Sequence, residues 1–148
     1  MYHIRPCKLE DLQQVLNLSK QWAREDVTVG YDNVKHTLEG LAKYVDGCFV
    51  VAEHEGTVIG YTFGKVKKGN AGPVIPLDEP YLEIFEVYIH PDHRQQGLGK
   101  KLVDELMATA EKQQVTRVLV GSSNRRWQDT ANFYEALGFK MWYIQMYK

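Results

Sequence analysis

Cysteine is scarce in this chain. Cys7 and Cys48 are the only two in 148 residues, too few and too far apart for a disulfide framework or a metal site. Two packed thiols in a reducing cytoplasm are the expectation. An excess of either charge is missing too: 18 Lys and Arg face 19 Asp and Glu, for a net charge of −1. A nucleic-acid binder shows a basic excess or stripe, so that class is set aside. No apolar run approaches the ~20 residues of a membrane span, and Met1-Tyr2-His3-Ile4-Arg5-Pro6 lacks the apolar stretch of a secretory signal. No repeat, low-complexity tract or linker divides the chain. The 44% of hydrophobic residues suffices for one sizeable core. Residues 1–148 are therefore expected to form a single cytoplasmic domain.

Residues 2–5 read as a short strand ended by Pro6. Leu12, Val15, Leu16, Ser19, Trp22 and Ala23 recur at helical spacing and predict a helix over 9–25. Val34, Leu38, Leu41, Ala42 and Val45 predict a second, capped by Asp32 or Asn33. Strands follow at 48–52 and 57–63 around the turn His54-Glu55-Gly56. Residues 69–80 have loop composition, and 81–89 read as a strand stopped by Pro91. Leu98, Leu102, Val103, Leu106, Met107 and Ala110 mark one face of a third helix, opposite Lys100, Lys101, Asp104 and Glu105. A strand at 115–120, a helix at 127–136 ended by Gly138, and a last strand at 139–146 complete the chain. The order β-α-α-β-β-β-α-β-α-β predicts one α/β domain, a mixed central sheet with helices on both faces. Its β-α-β run from 81 to 120 is expected to be a right-handed parallel crossover.

The segment Ile89-His90-Pro91-Asp92-His93-Arg94-Gln95-Gln96-Gly97-Leu98-Gly99-Lys100 is the most informative. A strand ends, a polar turn follows, and two glycines open a long amphipathic helix. The first amides of a helix lack internal partners and the macrodipole makes that end positive, so an anion fits there. Arg94, Lys100 and Lys101 add cationic side chains. The segment is not a P-loop, because Arg94 stands at the first glycine and Lys101 at the hydroxyl position. It is not a dinucleotide fingerprint, because Leu102 stands at the third glycine.

Arg94-x-x-Gly97-x-Gly99 after Val87-Tyr88-Ile89-x-Pro91 resembles the signature of the GNAT N-acetyltransferase superfamily. Phe133-Tyr134-Glu135-Ala136-Leu137-Gly138-Phe139 is similar to that family's FYxxLGF motif, in the right order and one strand further on. Ile4-Arg5-Pro6 with Glu10-Asp11-Leu12 is similar to its first strand and helix, so the resemblance covers nearly the whole chain.

The resemblance implies an acetyl-CoA-dependent N-acetyltransferase, with direct attack of a primary amine on the thioester. It implies that the amides of Gln95, Gln96, Gly97, Leu98, Gly99 and Lys100 bind the pyrophosphate. It also implies that the Val87 amide meets the thioester carbonyl, and that Tyr88 and Ile89 border the pantetheine. A bulge is expected near Ile84-Phe85, where the alternation falters, although a strand buried on both faces reads the same. Glu83 stands where several family members place a glutamate that acts as base directly or through water. Glu83 is expected to share a strand face with Tyr81, Phe85, Val87 and Ile89. Glu86 is its competitor, on the opposite face unless a bulge swaps them; a solvated or ion-paired carboxylate is the plain alternative for both. Tyr134 matches the family's general acid, with core packing as its alternative. Trp127 replaces an asparagine frequent in the family, which leaves Asn124 or Asn132 as substitutes.

His90 and His93 find no third metal ligand, so no metal is expected. Arg125, Arg126 and Trp127 read as a solvated helix start or a contact for a phosphate or an acidic substrate. Glu25, Asp26, Asp32, Asp78 and Glu79 fall in segments that line the acceptor site in the family. They hint at a cationic small molecule or peptide as acceptor, and solvated loop carboxylates explain them equally well. Family habit points to a homodimer. The rival reading is a non-catalytic acyl-CoA-binding or regulatory domain on the same fold.

Overall fold

The computed structural model describes residues 1–148. One sheet is ordered β1-β2-β3-β4-β5, built from Tyr2–Pro6, Cys48–His54, Thr57–Lys68, Pro80–Ile89 and Arg117–Val120. The first three pairings are antiparallel and β4 pairs β5 in parallel. The helices are α1 (Leu12–Glu25), α2 (Leu38–Ala42), α3 (Leu98–Glu111) and α4 (Trp127–Ala136). None is long and apolar enough to cross a membrane.

The apolar run at the start of β2 serves both sides of the sheet, which is why it shows no polar alternation. Cys48, Val50 and Ala52 pack with Leu98, Leu102 and Leu106 of α3. Phe49 and Val51 pack on the other side with Leu12 and Val15 of α1 and Leu41 of α2. Both cysteines are buried free thiols, as expected, and burial pushes the Cys7 thiol up to about 12. The entry to α1 is tied to β1. Arg5 donates from both terminal nitrogens to Asp11 at 2.8 and 3.0 Å, and the Lys8 amide donates to the same carboxylate at 2.8 Å. The Arg5 guanidinium holds the Asp11 carboxyl below its ordinary range.

β4 carries the bulge. Glu86 stands opposite Phe63 and Ile84 opposite Gly64, so Phe85 is the extra residue. The β3 backbone comes so close here that a Cβ on Gly64 would lie 2.2 Å from the Glu83 carbonyl oxygen, so only glycine fits. The bulge corrects the expected face of Glu83. Val87 and Ile89 turn to the α3 side with Leu82 and Ile84. Glu83, Phe85, Glu86 and Tyr88 share the α1 side, where Lys67 pairs with Glu83 and lies over the Phe85 ring.

Two other expectations are corrected. The second helix is shorter, because Tyr31–Asn33 form a separate 3-10 turn and α2 begins after Thr37, whose hydroxyl accepts from the Gly40 amide at 3.0 Å. Burial of Tyr31 and the pull of Glu86 on His36 break the periodic pattern between them. The last strand, 139–146, is absent: these residues pair with no strand, and β5 remains the sheet edge. Alternating side chains alone make no strand, because the backbone needs a ladder partner.

Candidate active site

The β4–β5 ladder ends at Ile84–Val120. Beyond the Phe85 bulge, Glu86 to Ile89 keep β3 on one edge and no strand on the other. A splay therefore opens between the two parallel strands at their C-terminal ends, and the chain running from β4 into α3 passes its mouth. None of the amides from Gln95 to Lys100 donates to a backbone carbonyl; the first donor of α3 is Lys101, to Gly97 at 3.3 Å. Gly97 caps the helix at φ 73°, a conformation that side chains with a Cβ resist. Six consecutive unpaired amides at the positive end of a fourteen-residue helix form a cradle for an anion.

Arg94 is committed elsewhere. Its guanidinium donates to the Ile89 carbonyl at 2.9 Å, pairs with Glu25 at 2.8 Å and lies over the Tyr88 ring. Tyr88 also donates its hydroxyl to Glu25. The end of α1 is thereby fastened over the second half of β4, and Trp22 stacks between Tyr31 and Tyr88.

The two glutamates have different surroundings. Glu83 is half-buried and accepts from Lys67 at 2.9 Å through one oxygen, leaving the other for water or substrate. Glu86 is buried, and both its oxygens are taken. Tyr31 and Tyr61 each donate to Oε1 at 2.8 Å, and His36 Nε2 lies 2.6 Å from Oε2. Burial and the Glu86 charge raise both phenols well above their ordinary range, so they stay protonated as donors. Sequence reasoning missed Tyr31, His36, Tyr61 and Trp22. The first two lie in an irregular segment with no periodicity, and only a pairing across more than fifty residues gives Tyr31 its role.

Tyr134 lies on α4 with its ring edge-on to Phe133 and Phe139, packed against the α3-side core together with Leu137. Burial alone pushes its phenol up to about 12. At neutral pH it is a protonated donor without an intramolecular partner.

A short antiparallel contact joins the segment after α1 to the segment after β5. The amide of Val29 donates to Ser123, that of Arg125 to Val27, and Thr28 bridges Asn124. Arg125 pairs with Asp26 and Arg126 with Asp129, so the basic cluster at the start of α4 is largely compensated. Asn124 spends its side-chain oxygen on the Arg126 amide. Of the five acidic loop residues, Glu25, Asp26 and Glu79 have arginine partners, and Asp32 and Asp78 have none. Asp32 lines a recess of about 150 Å³ with Tyr31, His36 and two lysines, Lys20 and Lys35. No group of three or more His, Cys, Asp or Glu is arranged to hold a metal.

The family model described as the acetyltransferase (GNAT) family matches residues 9–139. N-acetyltransferase 8B of Homo sapiens is 31% identical over 127 residues, 82% of this chain and 51% of that protein. The 5-NmdU N-acetyltransferase of Pseudomonas phage PaMx11 is 26% identical over 139 residues, 94% of this chain and 87% of that protein. This chain spans about half the length of its human relative. Among solved structures, AAC(6')-Iy in complex with the bisubstrate analog CoA-S-monomethyl-acetylneamine superposes with a TM-score of 0.75 at 18% identity, covering 100% of this chain and 97% of that one. That last likeness bears on the fold alone.

Proposed function

This chain belongs to the acetyltransferase (GNAT) family, and on that premise we propose that it transfers the acetyl group of acetyl-CoA to a primary amine by direct attack. The observation that carries the reading is the run of unpaired amides from Gln95 to Lys100 at the mouth of the β4–β5 splay. It suits a pyrophosphate, and the unpaired edge of β4 running inward from it suits the pantetheine amides. Val87, with Tyr88 and Ile89 beyond it, lies on that edge. Its amide is the donor proposed for the oxygen that gains charge as the amine attacks.

The amine must lose a proton to attack, since a free alkylammonium has a pKa near ~10. Glu83 is the proposed base. It has an uncommitted oxygen and stands four residues before Val87 on the strand, on the order of 10 Å along it, so the proton reaches it through a chain of waters. Glu86 has no such oxygen, and its role is to hold Tyr31, Tyr61 and His36 as a rigid wall on the acceptor side. As the nitrogen–carbon bond forms, the carbon–sulfur bond breaks, and the proton of Tyr134 goes to the departing thiolate. The acceptor is a small-molecule or peptide amine. Lys20 and Lys35 line the recess at Tyr31 and His36 together with Asp32, so the recess does not select for a further positive charge.

The test is release of CoA thiol from acetyl-CoA across a panel of primary amines of graded charge. Amine-dependent release is the expected result. Thermal stabilisation by acetyl-CoA with no release for any amine would favour a non-catalytic acyl-CoA-binding domain. No stabilisation at all would remove the phosphate-loop reading.

A further inference from the structure

Glu25 is the last residue of α1, the end at which the helix macrodipole is negative and a carboxylate is least favourable. Its side chain is only 15% exposed. Nothing in the helix that carries it accounts for a buried acid there. Its hydrogen bonds reach β4 and the chain beyond β4 instead. The two carboxylate oxygens lie 2.8 and 3.1 Å from one terminal nitrogen of Arg94, and one of them also accepts the Tyr88 hydroxyl.

Arg94 opens the stretch that forms the cradle. Its Nε donates to the Ile89 carbonyl at 2.9 Å, and its guanidinium lies 5.4 Å from the centre of the Tyr88 ring. Beyond it Gln95, Gln96 and Gly97 are exposed, and their amides donate to no backbone carbonyl. Gln95 stands at φ 67°, a region that its Cβ resists. The next fastening is Leu98, 2% exposed in the core. Three exposed residues, one of them strained, are thus held between two anchors, and Arg94 is the first.

We infer that Glu25 is a positioning residue for acetyl-CoA: acting through Arg94, it holds residues 95–97 in the shape that leaves their amides free for an anion. The inference rests on the reading of 95–100 as the phosphate cradle. A loop that the ligand itself must order subtracts that cost from affinity, and a loop held in advance does not. A carboxylate suits the task because its bonds to a guanidinium are charge-assisted. The pairing also turns the Arg94 guanidinium to α1 and β4, which leaves the cradle to backbone amides. An acid that the helix end disfavours is then kept for binding rather than for folding.

The experiment is calorimetric titration of the full chain with acetyl-CoA, beside KM and kcat from thiol release. Glu25→Ala should bind acetyl-CoA about tenfold more weakly. Its KM for acetyl-CoA should rise by a similar factor while kcat at saturating acetyl-CoA falls by less, because the bound cofactor then orders the loop. Glu25→Gln keeps one acceptor oxygen and should fall between Glu25→Ala and the wild type. Arg94→Ala should weaken binding as much as Glu25→Ala, and the double variant should lose no more than either, since Glu25 acts through Arg94. Losses that add in the double variant would overturn the inference. So would wild-type affinity in Glu25→Ala, or tighter binding, which would mean that the pair withholds Arg94 from the phosphates. If Glu25→Ala does not fold, Glu25→Gln and Arg94→Ala decide, the latter at a side chain 41% exposed; wild-type affinity in both would overturn the inference. A wild type that fails to bind acetyl-CoA would remove the cradle reading itself, and this inference with it.

Discussion

Glutamine at position 83 keeps the shape of the side chain and removes its ability to take up a proton. The structure sets how much else changes. The Lys67–Glu83 pair has side chains 39% and 32% exposed, and exposed pairs contribute about 0–1 kcal/mol. For a domain of this size that limits the shift in Tm to ~2–4 °C. Loss of general-base catalysis costs ~10²–10⁴-fold in kcat, about 3–5 kcal/mol of barrier. Glu83→Gln should therefore give a nearly intact Tm, unchanged stabilisation by acetyl-CoA, and a much lower kcat whose acid limb flattens. Glu86→Gln is the control. Its amide oxygen still accepts from Tyr31 and Tyr61, while its NH₂ faces His36 and forces that ring to accept. The loss of charge from three hydrogen bonds should cost ~1–3 kcal/mol of stability, seen as a lower Tm with kcat retained within about tenfold. The assay is thiol release at saturating amine, with single-turnover measurements to confirm that chemistry limits. If Glu86→Gln abolishes turnover and Glu83→Gln does not, the reasoning from free oxygens is wrong and Glu86 is the base.

Tyr134→Phe should keep Tm, since the hydroxyl has no partner in the chain, and slow acetyl transfer from CoA more than from a donor with a more acidic thiol. Equal slowing with both donors would mean that the phenol orients substrate. Because burial holds that phenol at about 12, no limb of the wild-type rate profile below about pH 10 should belong to it. Gly97→Asp places a carboxylate against the amide cradle and demands φ 73° of a residue with a Cβ, so it should cost ~1–2 kcal/mol of stability and abolish the thermal shift with acetyl-CoA. A folded variant with an unchanged shift would refute the cradle. Asp11→Asn breaks a nearly buried bidentate pair with Arg5 and should destabilise by about 3 kcal/mol. The Asp11 carboxyl is held below its ordinary value, so its contribution is complete above about pH 4 and disappears as the pH falls through the lowered folded value. A denaturation series should therefore show the acid slope in the wild type shrink in Asp11→Asn.

Elements whose pattern is local were legible in the sequence. α3 begins at Leu98 beside its paired glycines, α4 spans 127–136, and Gly138 takes the left-handed turn expected of a helix end. The bulge was readable as a lapse in alternation at Ile84-Phe85, but its effect on the faces was not. Moving Val87 and Ile89 away from Glu83 depends on how β3 aligns at Gly64, a partner twenty residues distant. The expected second helix failed over 34–37 because Tyr31 and His36 on either side answer to Glu86 on β4. The expected last strand failed because alternation describes a strand's faces and says nothing about who supplies its ladder. The candidate site divides along the same line: the cradle at 95–100 is a run of neighbours and could be read, whereas the aromatic wall is assembled across the sheet.

The bulge at Phe85 acts as a parity switch on everything downstream in β4. A strand is a two-state count, odd to one side and even to the other, and one extra residue reverses the count. Without it, Glu86 and Tyr88 would continue the sequence of Leu82 and Ile84 and drive a carboxylate and a phenol into the aliphatic layer beneath α3. With it, the residues after the bulge trade sides, and Glu83 and Glu86, opposite in parity by number, face the same way. A homologous strand that kept every one of these letters but paired Phe85 regularly with β3, without the bulge, would present its second carboxylate to the wrong half of the molecule.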